Sequence, residues 1–148
     1  MSKIDGGLRS LFRQHLPQFD WQSIESGLTG AGIPDSNYCR EGREGWIEYK
    51  RTTGWTVPLE PEQVGWIARR ARYGGRVLVA VRQLAPAGPR TAARDSLWVV
   101  GAAHVKEAKA DGLRALWAPP ALAGGTLQVW HGGPVAWNWR AIAARLVA

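Results

Sequence analysis

The run Arg76-Val77-Leu78-Val79-Ala80-Val81-Arg82 constrains this chain more than any other stretch. It is continuously apolar and β-branched instead of alternating, the pattern of a central strand buried on both faces. Such a strand needs covering layers, and helical patterns are available to supply them. Leu8, Leu11, Phe12 and His15 recur at helical spacing before Pro17. After Glu60-Pro61-Glu62-Gln63, residues Val64, Ile67, Ala68 and Ala71 line one face of a helix that Gly74-Gly75 ends. Ala102 to Leu113 and Val135 to Val147 read as two more helices. Strands are expected over Phe19 to Ser26, Asp35 to Glu41, Glu44 to Arg51, Ser96 to Val100 and Thr126 to Trp130, with a loop from Gln83 to Arg94. The order predicts an α/β protein with a mixed central sheet flanked by helices. At 148 residues it fits one domain, 1–148, since two cores of about 70 residues each would be marginal.

The single cysteine, Cys39, excludes an internal disulfide framework and any site with several thiolate ligands. His15, His104 and His131 show no metal-ligand spacing. The longest apolar runs, Val77 to Val81 and Leu97 to Val100, fall far short of the roughly 20 residues of a membrane span. Residues 1–7 carry no hydrophobic signal segment, so the expected compartment is the cytoplasm. Lys and Arg number 19 against 12 Asp and Glu, a net charge of +7 that favours a polyanionic partner such as nucleic acid. The excess sits in the second half. Residues 75–148 carry 9 basic and 3 acidic side chains, against 10 and 9 in residues 1–74. Of the nine tryptophans, Trp46, Trp98 and Trp130 fall in strand runs where burial is the default. Trp55, in the loop Thr52-Thr53-Gly54-Trp55-Thr56 beside Arg51, is a candidate partner contact.

In a strand over Glu44 to Arg51, Glu48 and Lys50 share one face, with Ile47 and Tyr49 on the other. If Gly42-Arg43 form a type II′ turn, pairing positions sum to 85, so Asp35 opposes Lys50 and Asn37 opposes Glu48. Asp35 and Glu48 are then diagonal neighbours, near enough to share an ion. Two adjacent carboxylates repel unless a cation joins them, and a hard ion such as Mg²⁺ needs only one or two carboxylates plus water and phosphate. An exposed Glu-x-Lys pair on a solvated face is the plain alternative.

Pro34-Asp35, twelve intervening residues, Glu48-Tyr49-Lys50 and a following helix with Gln63 near its start resemble the PD-(D/E)XK nuclease superfamily. The string from Glu25 through Gly32-Ile33-Pro34-Asp35 to Arg82 is similar to its Holliday junction resolvase and VRR-NUC-like branch, which includes small phage-type nucleases. The resemblance covers about residues 20–82 and leaves the basic, Trp-rich segment 83–148 unmatched. It implies a restriction-endonuclease-like core and Mg²⁺ or Mn²⁺ held by Asp35, Glu48 and the Tyr49 carbonyl, with Lys50 positioning the attacking water. Glu25 stands in for the acid that resolvase-like relatives place on their first helix, and Gln63 matches a helix glutamine near the site. DNA contacts are expected from Arg51, Trp55, Arg69, Arg70, Arg72 and the glycine loop at Gly27, Gly30 and Gly32. The implied activity is cleavage of branched DNA by a homodimer. The alternatives are a nicking or flap-type nuclease and a non-catalytic DNA-binding module of the same fold.

Overall fold

The computed structural model describes residues 4–24, 32–116 and 127–148. Within them the chain forms α1 (Leu8–His15), β1 (Asp20–Ser23), β2 (Ser36–Arg40), β3 (Arg43–Thr52), α2 (Pro61–Arg72), β4 (Val77–Ala85), β5 (Arg94–Gly101), a 3₁₀ turn (Ala102–His104), α3 (Val105–Ala115), β6 (Leu127–Trp130) and α4 (Trp139–Leu146). The strands make one mixed sheet in the order β1-β2-β3-β4-β5-β6. All neighbours are antiparallel except β3 and β4, which are parallel. A parallel pair needs a crossover, and α2 is that crossover. None of the described helices is long and apolar enough to cross a membrane.

Alternation along the strands sorts the apolar residues into two layers. Ile47, Tyr49, Leu78, Ala80, Leu97 and Val99 pack with Leu8 and Phe12 of α1 and Ile142 and Leu146 of α4. Val79, Val81, Trp98 and Val100 pack on the other face with Val64 and Ile67 of α2 and Val105 and Leu113 of α3. The apolar run in β4 therefore is covered on both sides, as its composition requires.

Several boundaries differ from the sequence reading. The β2–β3 turn is Glu41-Gly42, not Gly42-Arg43. Both residues have positive φ, 51° and 79°, the signature of a type I′ turn. Pairing positions consequently sum to 83, with Ser36 opposite Ile47 and Asn37 opposite Trp46, instead of 85. The slip is two residues, so every side chain keeps its face. Gln83, Leu84 and Ala85 belong to β4, paired with Ser96, Asp95 and Arg94, so the expected loop starts later. The first strand begins at Asp20 instead of Phe19, which is a core residue, and the last two residues of the expected strand, Glu25 and Ser26, lie outside the described residues. The last helix begins only at Trp139, where the Asn138 side chain accepts the Ala141 N–H at 3.0 Å as an N-cap. Trp98 is buried as expected, but Trp46 and Trp130 are only half-buried, at the margins of the two layers.

The Tyr38 hydroxyl donates to the Leu146 carbonyl at 2.6 Å in the interior, tying the hairpin to the end of α4. Tyr38→Phe leaves that carbonyl unpaired, and we expect a loss of about 1–3 kcal/mol of stability in denaturant unfolding at neutral pH.

Candidate active site

Asp35 lies one residue before β2, and continuing the observed register places it directly opposite Glu48. Its carbonyl accepts the Ile24 N–H at 2.8 Å, and its Oδ2 accepts the Tyr49 N–H at 2.9 Å. The carboxylate thus takes over the edge of β3 where β2 leaves it. In a strand the N–H and C=O of one residue point to the same side. The Tyr49 carbonyl therefore faces the same vacated edge as Asp35.

Glu48 is 2% exposed, on the α2 side of the central sheet. Its Oε1 accepts from Gln63 Nε2 at 2.8 Å and lies 3.5 Å from Lys50 Nζ. The Gln63 Oε1 in turn accepts the Glu60 N–H at 2.9 Å, at the start of α2. That bond fixes which way the amide points, so its NH₂ must face Glu48. The helix-start role and the site role of Gln63 are one arrangement. Lys50 is close to buried, with its side chain 12% exposed, whereas Asp35 is 29% exposed and opens the group to solvent.

The second oxygen, Glu48 Oε2, is buried without a hydrogen-bond donor. Burial, followed by the Asp35 charge, pushes the Glu48 carboxyl up to about 8, with Lys50 only partly offsetting them. A buried carboxyl next to a second carboxylate and short of one donor costs stability unless something cationic completes it. The exposed, solvated Glu-x-Lys pair is thereby excluded.

A Mg²⁺-type ion fits this donor set: two carboxylates, one of them with an orphaned buried oxygen, and an edge carbonyl, with an open side for water. Among the described residues no three His, Cys, Asp or Glu side chains cluster, and Asp35 and Glu48 are the carboxylates the described residues bring together here. Glu25, Gly27 and Gly30 lie outside the described residues.

Other expected contacts are redistributed. Arg69, Arg70 and Arg72 sit at the far end of α2 from Gln63, about 9 to 14 Å along the axis at 1.5 Å per residue, so they do not flank the carboxylates. The Arg70 guanidinium covers the rings of Trp66 and Trp46, at 4.7 and 5.5 Å. Gly32 serves a close approach, but to protein instead of DNA. Its φ is 88° and an added Cβ would collide with the Glu62 carbonyl, so the chain entering Asp35 presses on the first turn of α2. Arg51 lies on the opposite face from Lys50, its Cβ near Gly6. Trp55 is half-buried against Trp98. One residue escaped the sequence reading: Arg9 of α1, whose guanidinium is 3.6 Å from Asp35 Oδ1. No periodicity or motif marks it, because the contact joins a helix to a strand end through tertiary packing.

Neither a protein-family model nor a curated protein sequence matches the chain.

A folded-state pKa above the unfolded value means that the folded protein binds the extra proton between about pH 4.5 and 8, so stability falls as pH rises through that window. In metal-free buffer, Glu48→Gln removes this loss. Thermal melts should show the variant gaining on wild type from pH 5 to pH 8.5, whereas parallel melting curves would contradict the raised carboxyl.

Proposed function

We propose that this protein is a metal-dependent endonuclease of the PD-(D/E)XK type, hydrolysing DNA phosphodiester bonds on a restriction-endonuclease-like core. The observation that carries the reading is the buried, donor-less Glu48 Oε2 beside Asp35, with Lys50 3.5 Å from the other oxygen of the same carboxylate. Asp35 and Glu48, with the Tyr49 carbonyl at the strand edge, would hold Mg²⁺ or Mn²⁺. The ion would supply Lewis-acid polarisation of the phosphodiester and charge neutralisation at its oxygens.

The protein's own residues divide the remaining work. Lys50 presents an ammonium on the same face as Glu48, where it can hold the attacking water and balance negative charge on the phosphate. Gln63 locks the Glu48 rotamer through Oε1 and leaves Oε2 for the ion. Arg9 holds Asp35 from the α1 side. The net charge of +7 supports a polyanionic substrate. Preference for a branched duplex, and action as a homodimer with two cuts related by two-fold symmetry, rest on the resemblance to junction resolvases. A nicking or flap-type nuclease shares every residue named so far.

Cleavage of labelled four-way junction, flap, nicked and linear DNA in Mg²⁺, Mn²⁺ and EDTA tests the proposal. Wild type should cut only with metal and fastest on the junction. Glu48→Gln and Lys50→Ala should each lose about 100-fold or more, the usual scale for a displaced acid–base or electrostatic group. Equal rates on all four substrates would remove the junction assignment. Tight binding without cleavage would leave a DNA-binding module.

Because the Glu48 carboxyl must ionise to ligate, calorimetric Mn²⁺ affinity should rise from pH 6 to pH 8 with proton release, and Asp35→Asn should weaken it at every pH.

A further inference from the structure

Beyond Lys50, β3 runs into the loop that carries Trp55, and this loop is pinned from two sides. Gln83, fully buried in β4, accepts the Trp98 indole N–H at 3.0 Å and donates to the Gly54 carbonyl at 2.7 Å. From α3, the Leu113 N–H donates to the Trp55 carbonyl at 2.7 Å. The helix comes this close because Gly112 leaves helical geometry, with φ 79°, and a Cβ there would stand 2.6 Å from that carbonyl. The Trp55 ring is held edge-on to Trp98, 6.0 Å between centroids.

On this fixed ring rest two guanidiniums. Arg94, at the start of β5, and Arg114, in the last turn of α3, place their Cζ atoms 4.7 and 4.6 Å from its centroid. The π surface is therefore occupied by the protein's own cations, and Trp55 is a support for two arginines instead of a stacking platform for a base. Two cations sharing one ring repel each other, yet among the described residues no carboxylate lies within ion-pair distance of either. Asp95, the chain neighbour of Arg94, is committed to Arg82 by bonds of 2.8 and 2.9 Å.

The two arginines border a groove of about 330 Å³ that also reaches His131, whose Nδ1 is engaged by Ser96 Oγ at 2.7 Å. Through Arg94 and His131 it joins a larger open groove of about 700 Å³ bordered by Arg51 and Thr53, next to Lys50 in the chain. The ligand that suits this arrangement is an extended polyanion, because the groove is open, is lined by Arg51, Arg94 and Arg114 against one carboxylate, Asp95, that Arg82 already pairs, and reaches β3 at Arg51. Guanidinium forks match phosphate oxygens.

We propose that Arg94 and Arg114, mounted on Trp55, clamp the phosphodiester backbone of DNA to one side of the scissile bond, with Arg51 and His131 extending the track. This deepens the endonuclease reading and rests on it for the identity of the polymer.

Fluorescence anisotropy with a fluorescein-labelled DNA duplex in EDTA, across a KCl series, separates the two, since no cleavage is required. Arg94→Gln/Arg114→Gln should weaken binding about 10-fold or more and lower the slope of log affinity against log salt by nearly 2, about 0.9 per phosphate contact. Arg94→Lys/Arg114→Lys keeps the charge but not the fork or the stacking, and should recover only part of the affinity. Trp55→Leu keeps both arginines and should weaken binding by freeing them. Near-UV circular dichroism of each variant reports that the fold is intact. Unchanged affinity and slope in the double Gln variant, full recovery with Lys, or displacement of the duplex by micromolar 5′-mononucleotide would overturn the clamp. Wild type failing to cut with Mn²⁺ while these binding losses hold would overturn the nuclease reading and leave the clamp standing.

Discussion

The parallel pairing of β3 with β4 is the constraint from which the rest of the molecule follows. Parallel strands cannot be joined by a tight turn, so the chain must leave the end of β3, cross the sheet and return. The α2 helix makes that return and runs opposite to the strands, which brings its first turn beside the end of β3. Gln63 is then beside Glu48, and the Gly32 segment presses on the same turn as it delivers Asp35. The carboxylate site is a consequence of one crossover connection.

Glu48 carries the cost of that site. A carboxyl 2% exposed in a central strand, facing a second carboxylate and lacking a donor at Oε2, opposes folding as pH rises through the window in which it should ionise. Packing alone would favour an apolar residue there, as at Val79 next to it in the sheet. Gln63, Lys50 and Asp35 are arranged around it, yet the first two engage Oε1 and leave Oε2 without a donor.

The arginines show how differently one residue type is used. Arg82 is structural: it forks onto Asp95, donates to the Gly6 carbonyl at 2.7 Å and covers Trp137. Arg76 binds the Glu44 and Ala148 carbonyls, and Arg70 covers two indoles of the α2 layer. Arg94 and Arg114 share an indole but have no acidic partner among the described residues, which leaves their forks available to an anion. Net charge counts all of these alike and cannot tell an arginine committed to a carboxylate or an indole from one whose fork is free.

Periodicity was sufficient for the helices, the strands and the shared face of Glu48 and Lys50, because these depend on neighbours a few residues apart. The hairpin face survived a wrong turn, since a slip of two residues preserves alternation; the register itself needed the positive φ at Glu41, which composition does not disclose. Arg9 beside Asp35 was beyond reach, because the contact joins a helix to a strand end distant in sequence. The same holds for the two arginines on Trp55, 39 and 59 positions away along the chain. The sequence by itself determined the layered α/β architecture and the pairing of carboxylate with lysine, through local spacing. Only the tertiary structure decided that the carboxylate is buried and short of a donor, because burial is set by the layers that close over it.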